Sequence, residues 1–315
     1  MDTPKTRAPA RCRGFLILLA ISLVAACAGQ SKPDEPPTSG PLPKGIYHVD
    51  SGEELDKELF YERLSKADYI VVGEQHDRAW HHRIQLEIYR SQLGRRKGPV
   101  ALGMEMFQRP FQAALDDYVA ERIDEETMLE RTEWETRWGM ATKSYRPLWR
   151  LAREASSPVA ALNVPRDVTK KIARLGLDGL SPQERANLPE TIDTSNEAQR
   201  EYLKKAFGRH GAEMSDVDFE HFLEAQATWD EVMAETAVDF TDANEAVDAM
   251  VIVAGRAHAR RDFGIPPRME RRLGDGADDR VLSVIPFDAG ERTPFGTVSL
   301  ESLRENQVAD YVWID

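Results

Sequence analysis

From residue 45 onward, short apolar runs alternate with longer stretches of helical periodicity. Four runs are β-rich or continuously apolar: Ala67–Val72, Pro99–Gly103, Pro158–Leu162 and Ala249–Ala254. Such runs suit strands covered on both faces, because neither face then meets water. The alternation predicts an α/β fold: a mostly parallel sheet flanked by helices, with a smaller all-helical subdomain inserted. In Arg280–Ile285 and Ala309–Ile314 polar and apolar positions alternate, which suits edge strands of antiparallel direction. An amphipathic helix is expected over Trp80–Tyr89. Pro110 suits the first turn of another, carrying Phe111, Leu115, Tyr118 and Val119, and Ser181-Pro182 is a cap followed by proline at the first helical position. The longest helix is expected from Asp216 to about Thr236. These patterns place one body over residues 45–315, with helical insertions at about 108–150 and 181–245.

Each of the four apolar runs stops in a polar cluster: Gly73-Glu74-Gln75-His76-Asp77, Met104-Glu105-Met106-Phe107, Asn163-Val164-Pro165-Arg166 and Gly255-Arg256-Ala257-His258. If the strands are parallel neighbours, the clusters meet at the carboxyl edge of the sheet, where open α/β folds place ligands. Gly73 and Gly255 are expected to take a positive φ at the strand ends, so that His76 and His258 are presented in the same way twice. Two imidazoles with Glu74 and Glu105 form a candidate set for a divalent metal. In a metal-dependent hydrolase, a carboxylate among Glu74 and Glu105 would act as base, and Asn163 or Arg166 would stabilise an oxyanion. The same side chains would equally form a hydrogen-bonded network closing the sheet edge. His82 and Gln85 are placed to look back toward that edge, although histidines on such helices are more commonly solvated. No partner pattern marks His48, His210 or His221.

Charge and cysteine narrow the classes. Among 315 residues, 41 Lys+Arg stand against 54 Asp+Glu, a formal charge of −13. The first 27 residues hold four basic groups and one acidic, a net +3, so the remainder carries −16. So acidic a body lacks the basic surface that phosphate contacts require, which argues against general nucleic-acid binding. The start reads as a bacterial export signal over residues 1–26: basic through Arg13, apolar from Phe15 to Ala26, then small. Leu23-Val24-Ala25-Ala26-Cys27 resembles a lipobox, which makes Cys27 the expected lipidation site. Ala28 after it resembles the sorting pattern of outer-membrane lipoproteins. Residues 27–44 then form a tether with five prolines. Cys12 would leave with the signal, so no free thiol would remain.

The ordered motifs resemble the ChaN family of haem-binding lipoproteins, within the Tiki and erythromycin-esterase-like superfamily. The resemblance rests on Val72 to Asp77, Gly103 to Phe107, Trp138 to Pro147, Ala161 to Arg166, Ala225-Gln226 with Asp230 to Ala234, and Gly255 to His258 followed by Gly264-Ile265-Pro266. It implies haem binding with tyrosine ligation at a dimer interface, and a role in haem or iron acquisition beside a transporter. Tyr145 and Tyr118 are the candidate haem ligands, from their placement beside the expected cleft. Trp134, Trp138, Tyr145 and Trp149 fall within 16 residues, a density that suits either a packed helical subdomain or the walls of a flat cofactor.

Overall fold

A computed structural model describes residues 40–209, 218–293 and 296–315. The expected signal peptide, Cys27, most of the tether, His210 and Asp216 lie outside them. In chain order the elements are β1 Gly45–His48, β2 Glu54–Leu55, α1 Lys57–Leu64, β3 Tyr69–Glu74, α2 Ala79–Arg95 and β4 Val100–Gln108. There follow α3 Gln112–Val119, α4 Glu125–Arg131, α5 Trp134–Arg137, α6 Arg146–Glu154, β5 Val159–Asn163, α7 Arg166–Leu175 and α8 Pro182–Ala186. The last part contains α9 Glu197–Arg209, α10 Phe219–Ala243, β6 Ala249–Gly255, α11 Ile265–Leu273, β7 Val281–Phe287, the small hairpin β8 Arg292–Thr293 and β9 Gly296–Thr297, α12 Leu300–Glu305 and β10 Tyr311–Ile314.

Eight strands form one sheet in the order β2-β1-β10-β7-β3-β6-β4-β5. From β10 to β5 every pairing is parallel, while β1 pairs antiparallel with both β10 and β2. The antiparallel edge expected of the last two strands is therefore corrected. β7 lies inside the sheet between β10 and β3, and their polar positions are absorbed locally: Ser283 Oγ accepts from the Asp310 N–H. The second polar cluster also moves, since β4 runs on through it to Gln108 with a register shift between Met104 and Gln108.

Successive residues of the central strands point to opposite faces, and both faces are dry. Ile70, Val72, Leu102, Met104, Val251 and Val253 meet α1, α2 and the helices of the 112–154 segment. Tyr69, Val71, Ala101, Met250, Ile252 and Ala254 meet α10, α11 and α12. At about 1.5–3 kcal/mol for each fully buried large aliphatic side chain, this double burial is what holds the strands. The aromatics between Trp134 and Trp149 belong to the first of these cores: Trp134 packs on Trp149 at 5.2 Å and on Tyr145 at 5.7 Å. The helical segment thus shares its core with the sheet. Near the start, Leu42 is buried and its N–H donates to Val298 O, so the packed body begins inside the stretch read as tether.

Candidate functional site

The order β3-β6-β4-β5 brings the four strand ends side by side, with Glu74 opposite Gly255 and Gln108 opposite Asn163. A cleft of about 320 Å³ opens there, at the lower end of the roughly 300–1,000 Å³ of small-molecule sites. His76, Glu105, Asn163 and His258 line it from the sheet side, Arg137, Trp138, Arg166 and Trp229 from the helices.

Glu74 ends β3 and is only 2% exposed. Its Oε1 accepts from the Tyr145 hydroxyl at 2.6 Å and from His76 Nδ1 at 2.7 Å, and its Oε2 lies 3.0 Å from His82 Nε2. Burial by itself would raise its pKa, but hydrogen bonds and charge from His76 and His82 outweigh burial and hold the carboxyl at about 2. It is therefore a fixed anion behind the cleft. The His76 ring stands edge-on to Trp138, centroids 4.9 Å apart, and its side chain is 38% exposed. Burial lowers its pKa, yet the Glu74 hydrogen bond and the charge of Glu105 raise it more.

Across the cleft, His258 repeats the arrangement with a partner from another element. Its Nδ1 lies 2.6 Å from Asp230 Oδ1 on α10, and its Nε2 lies 3.7 Å from Glu105 Oε1. Burial opposes protonation here, but the charges of Asp230 and Glu105 prevail and push the pKa up to about 9. Asp230 is 1% exposed and also accepts from Gln199 Nε2 at 2.9 Å. Glu105 Oε2 accepts from the Gly255 N–H at 2.6 Å, and Asn163 Nδ2 donates to Glu105 O at 2.9 Å.

These contacts correct several expectations. Gly73 and Gly255 are not among the positive-φ residues. What they provide is close approach: a Cβ on Gly73 would stand 3.1 Å from the Ala259 Cβ, and one on Gly255 3.2 Å from His76 Cε1. Among the described residues no group of three or more His, Cys, Asp or Glu side chains is placed to hold a metal ion, so the set His76, His258, Glu74 and Glu105 does not assemble as one. The reason is local: each Nδ1 is taken by a carboxylate, Glu74 lies behind its histidine, and Glu105 is drawn onto a backbone N–H.

Asn163 and Arg166 do reach the cleft, with Arg166 Nη1 donating to Thr136 O at 2.8 Å. Tyr145 is fully buried behind it, and Tyr118 is buried in the core beneath Arg153, away from the cleft lining. His81 and His82 are buried at 0% and 4%, not solvated. His81 Nδ1 accepts from the Gln75 N–H, and burial with the nearby Arg256 charge pulls its pKa down to about 3. Asp230, Gln199, Trp229 and Arg137 were not among the expected site residues. The i,i+4 pair Gln226 and Asp230 on the long helix was the available signal for Asp230.

A family model described as "Haem-binding uptake, Tiki superfamily, ChaN" matches residues 60–269. No curated protein matches the chain. Among solved structures, ChaN of Campylobacter jejuni, described by its cofacial haem binding, superposes with a TM-score of 0.66 at 20% identity, covering 85% of this chain and 95% of that one. An erythromycin esterase mutant in its open conformation gives 0.42 at 14% identity, covering 81% and 82%. A type III effector gives 0.44 at 12%, covering 88% and 97%.

Proposed function

We propose that this chain, which belongs to the family of haem-binding uptake proteins called ChaN, in the Tiki superfamily, binds haem in the cleft at the carboxyl edge of its sheet. The family match carries this reading, because it spans two thirds of the chain and contains every residue of the cleft. The side chains suit the ligand. Trp138 and Trp229 offer flat apolar surfaces, and Arg166 is a cation able to meet a propionate, while Arg137 beside it is paired with Glu133 and Asp167. The open mouth would leave part of the macrocycle outside, where a second copy of the chain could cover it. The address rests on the sequence: lipid at Cys27 would hold the body at the cell envelope, in the outer membrane, for haem or iron acquisition beside a transporter. Titrating ferric haem into the purified chain should give a saturable Soret change. A response that never saturates would count against the reading.

A second reading is favoured by one observation, the two histidine–carboxylate pairs flanking Glu105. Imidazoles fixed through Nδ1 present Nε2 for proton transfer, the arrangement an ester hydrolase needs. Release of p-nitrophenol from p-nitrophenyl acetate should then fall about 100-fold or more in His76→Ala. Turnover unaffected by that change would remove this reading.

A further inference from the structure

We infer that a second, smaller pocket beside the start of α2 binds the oxyanion head of a small ligand, a phosphate or a carboxylate. The inference is independent of the haem reading, since this pocket shares no lining residue with the cleft.

The pocket has a volume of about 250 Å³, below the roughly 300–1,000 Å³ of drug-sized ligand sites, so it suits a small group rather than a macrocycle. Two segments wall it. The first turns of α2 supply His82, Arg83 and Leu86, and the stretch that leads into and opens α6 supplies Lys143, Ser144 and Pro147.

His82 singles the pocket out. Its ring is 4% exposed, and while Nε2 lies 3.0 Å from the Glu74 carboxylate, Nδ1 is buried without a hydrogen-bond partner. Buried polar atoms are nearly always paired, so an orphan on the wall of a cavity marks where a ligand atom completes the set. The neighbouring groups fix the sign of that ligand. Arg83 and Lys143 are exposed at the mouth, and neither side chain makes an ion pair or hydrogen bond among the described residues. On a body of net charge −16, two unpaired cations lining one pocket select an anion. The first turn of α2 adds to that field. Its N-cap Arg78 makes no side-chain capping bond and no acidic residue stands in the turn, so the positive end of a 17-residue helix is left unneutralised. Ser144 contributes a hydroxyl, and Leu86 and Pro147 give an apolar wall for the carbon frame of a ligand. Between Glu74 at Nε2 and the oxyanion at Nδ1, both ring nitrogens of His82 donate, the imidazolium form.

The test titrates the purified chain with inorganic phosphate and, in parallel, with acetate, each against sodium chloride at equal ionic strength, and follows the histidine side-chain resonances by NMR. The His82 signal is identified by its loss in His82→Asn. It should shift saturably with one or both oxyanions and not with chloride, and the anion that saturates first names the head group. Arg83→Ala combined with Lys143→Ala should weaken binding about 10-fold or more, through two exposed side chains whose loss spares the core. Arg90→Ala, which removes an exposed cation further along α2, should match wild type. A His82 signal that neither phosphate nor acetate moves, or that chloride moves equally, would overturn the inference. So would undiminished affinity in the double variant. Saturable haem binding, present or absent, bears on the cleft alone.

Discussion

Arg268→Ala is expected to destabilise the fold by about 3–5 kcal/mol, the usual cost of leaving buried charges without their partner. Arg268 on α11 is 3% exposed. Its Nε lies 3.2 Å from Glu231 Oε1, its Nη1 lies 3.8 Å from Asp230 Oδ2, and its Nη2 donates to Gln199 Oε1 at 3.0 Å. It also donates to the carbonyls of Phe263 and Gly264, at the start of the same helix. Two adjacent anions of α10, at 0% and 1% exposure, are thereby balanced by one buried guanidinium, with Arg271 and Arg272 assisting Glu231 from the more exposed side. Without Arg268, Glu231 keeps Arg271 and Arg272 and Asp230 keeps His258, but the guanidinium that lies between the two buried carboxylates is lost. Arg280→Ala provides the contrast. Its pair with Asp68 is short at 2.6 Å, but both side chains are over 40% exposed, so about 1 kcal/mol or less is expected. Urea unfolding with an unchanged m-value checks both. Equal losses for the two variants would show that the buried network is not the stabilising element it is taken to be.

Stability should also fall by about 3 kcal/mol as pH rises from about 6.5 to above 9, and His258 should be the main cause. In the folded chain its pKa is about 9 against 6.5 for the free side chain, because the charges of Asp230 and Glu105 overcome the effect of burial. A group that holds its proton more tightly when folded stabilises fully below its unfolded pKa. That contribution is lost as pH climbs through the folded value. His76, raised by Glu74 and Glu105, adds a loss of the same sign. His81, depressed to about 3, is neutral in the folded chain over this range, and the last deprotonation of its unfolded form just above pH 6.5 adds only a small gain of opposite sign, about 0.4 kcal/mol. Urea midpoints across the range test the profile. In His258→Gln most of the alkaline decline should vanish, and a decline as steep as wild type would refute the assignment.

Much of the architecture was legible along the chain. The apolar runs at Ile70, Leu102, Ala160 and Val251 announce strands wetted on neither face, and each became an interior parallel strand or its immediate neighbour. Helical periodicity found α2 and α10, though α10 starts at Phe219 and runs on to Ala243. The end strands were misjudged because alternation normally signals one wet face. Ser283 and Asp310 satisfy one another inside the sheet instead, and no local pattern announces such a pair. The histidines of α2 were misjudged for a similar reason. A polar residue on a helix face reads as solvated until the group opposite it is known, and for His82 that group is Glu74, eight positions back on another element.

The sequence by itself determined the α/β class, the family and the residues that gather at the carboxyl edge of the sheet, because strand period, motif order and strand ends are local properties. Only the tertiary structure decided what those residues do for one another. Glu74 collects Tyr145, His76 and His82 from three separate segments, and Asp230 rather than a nearby residue holds His258. A carboxylate's partners and its charge depend on contacts of about 3 Å between different elements. Those distances exist only once strand order and helix packing have set them.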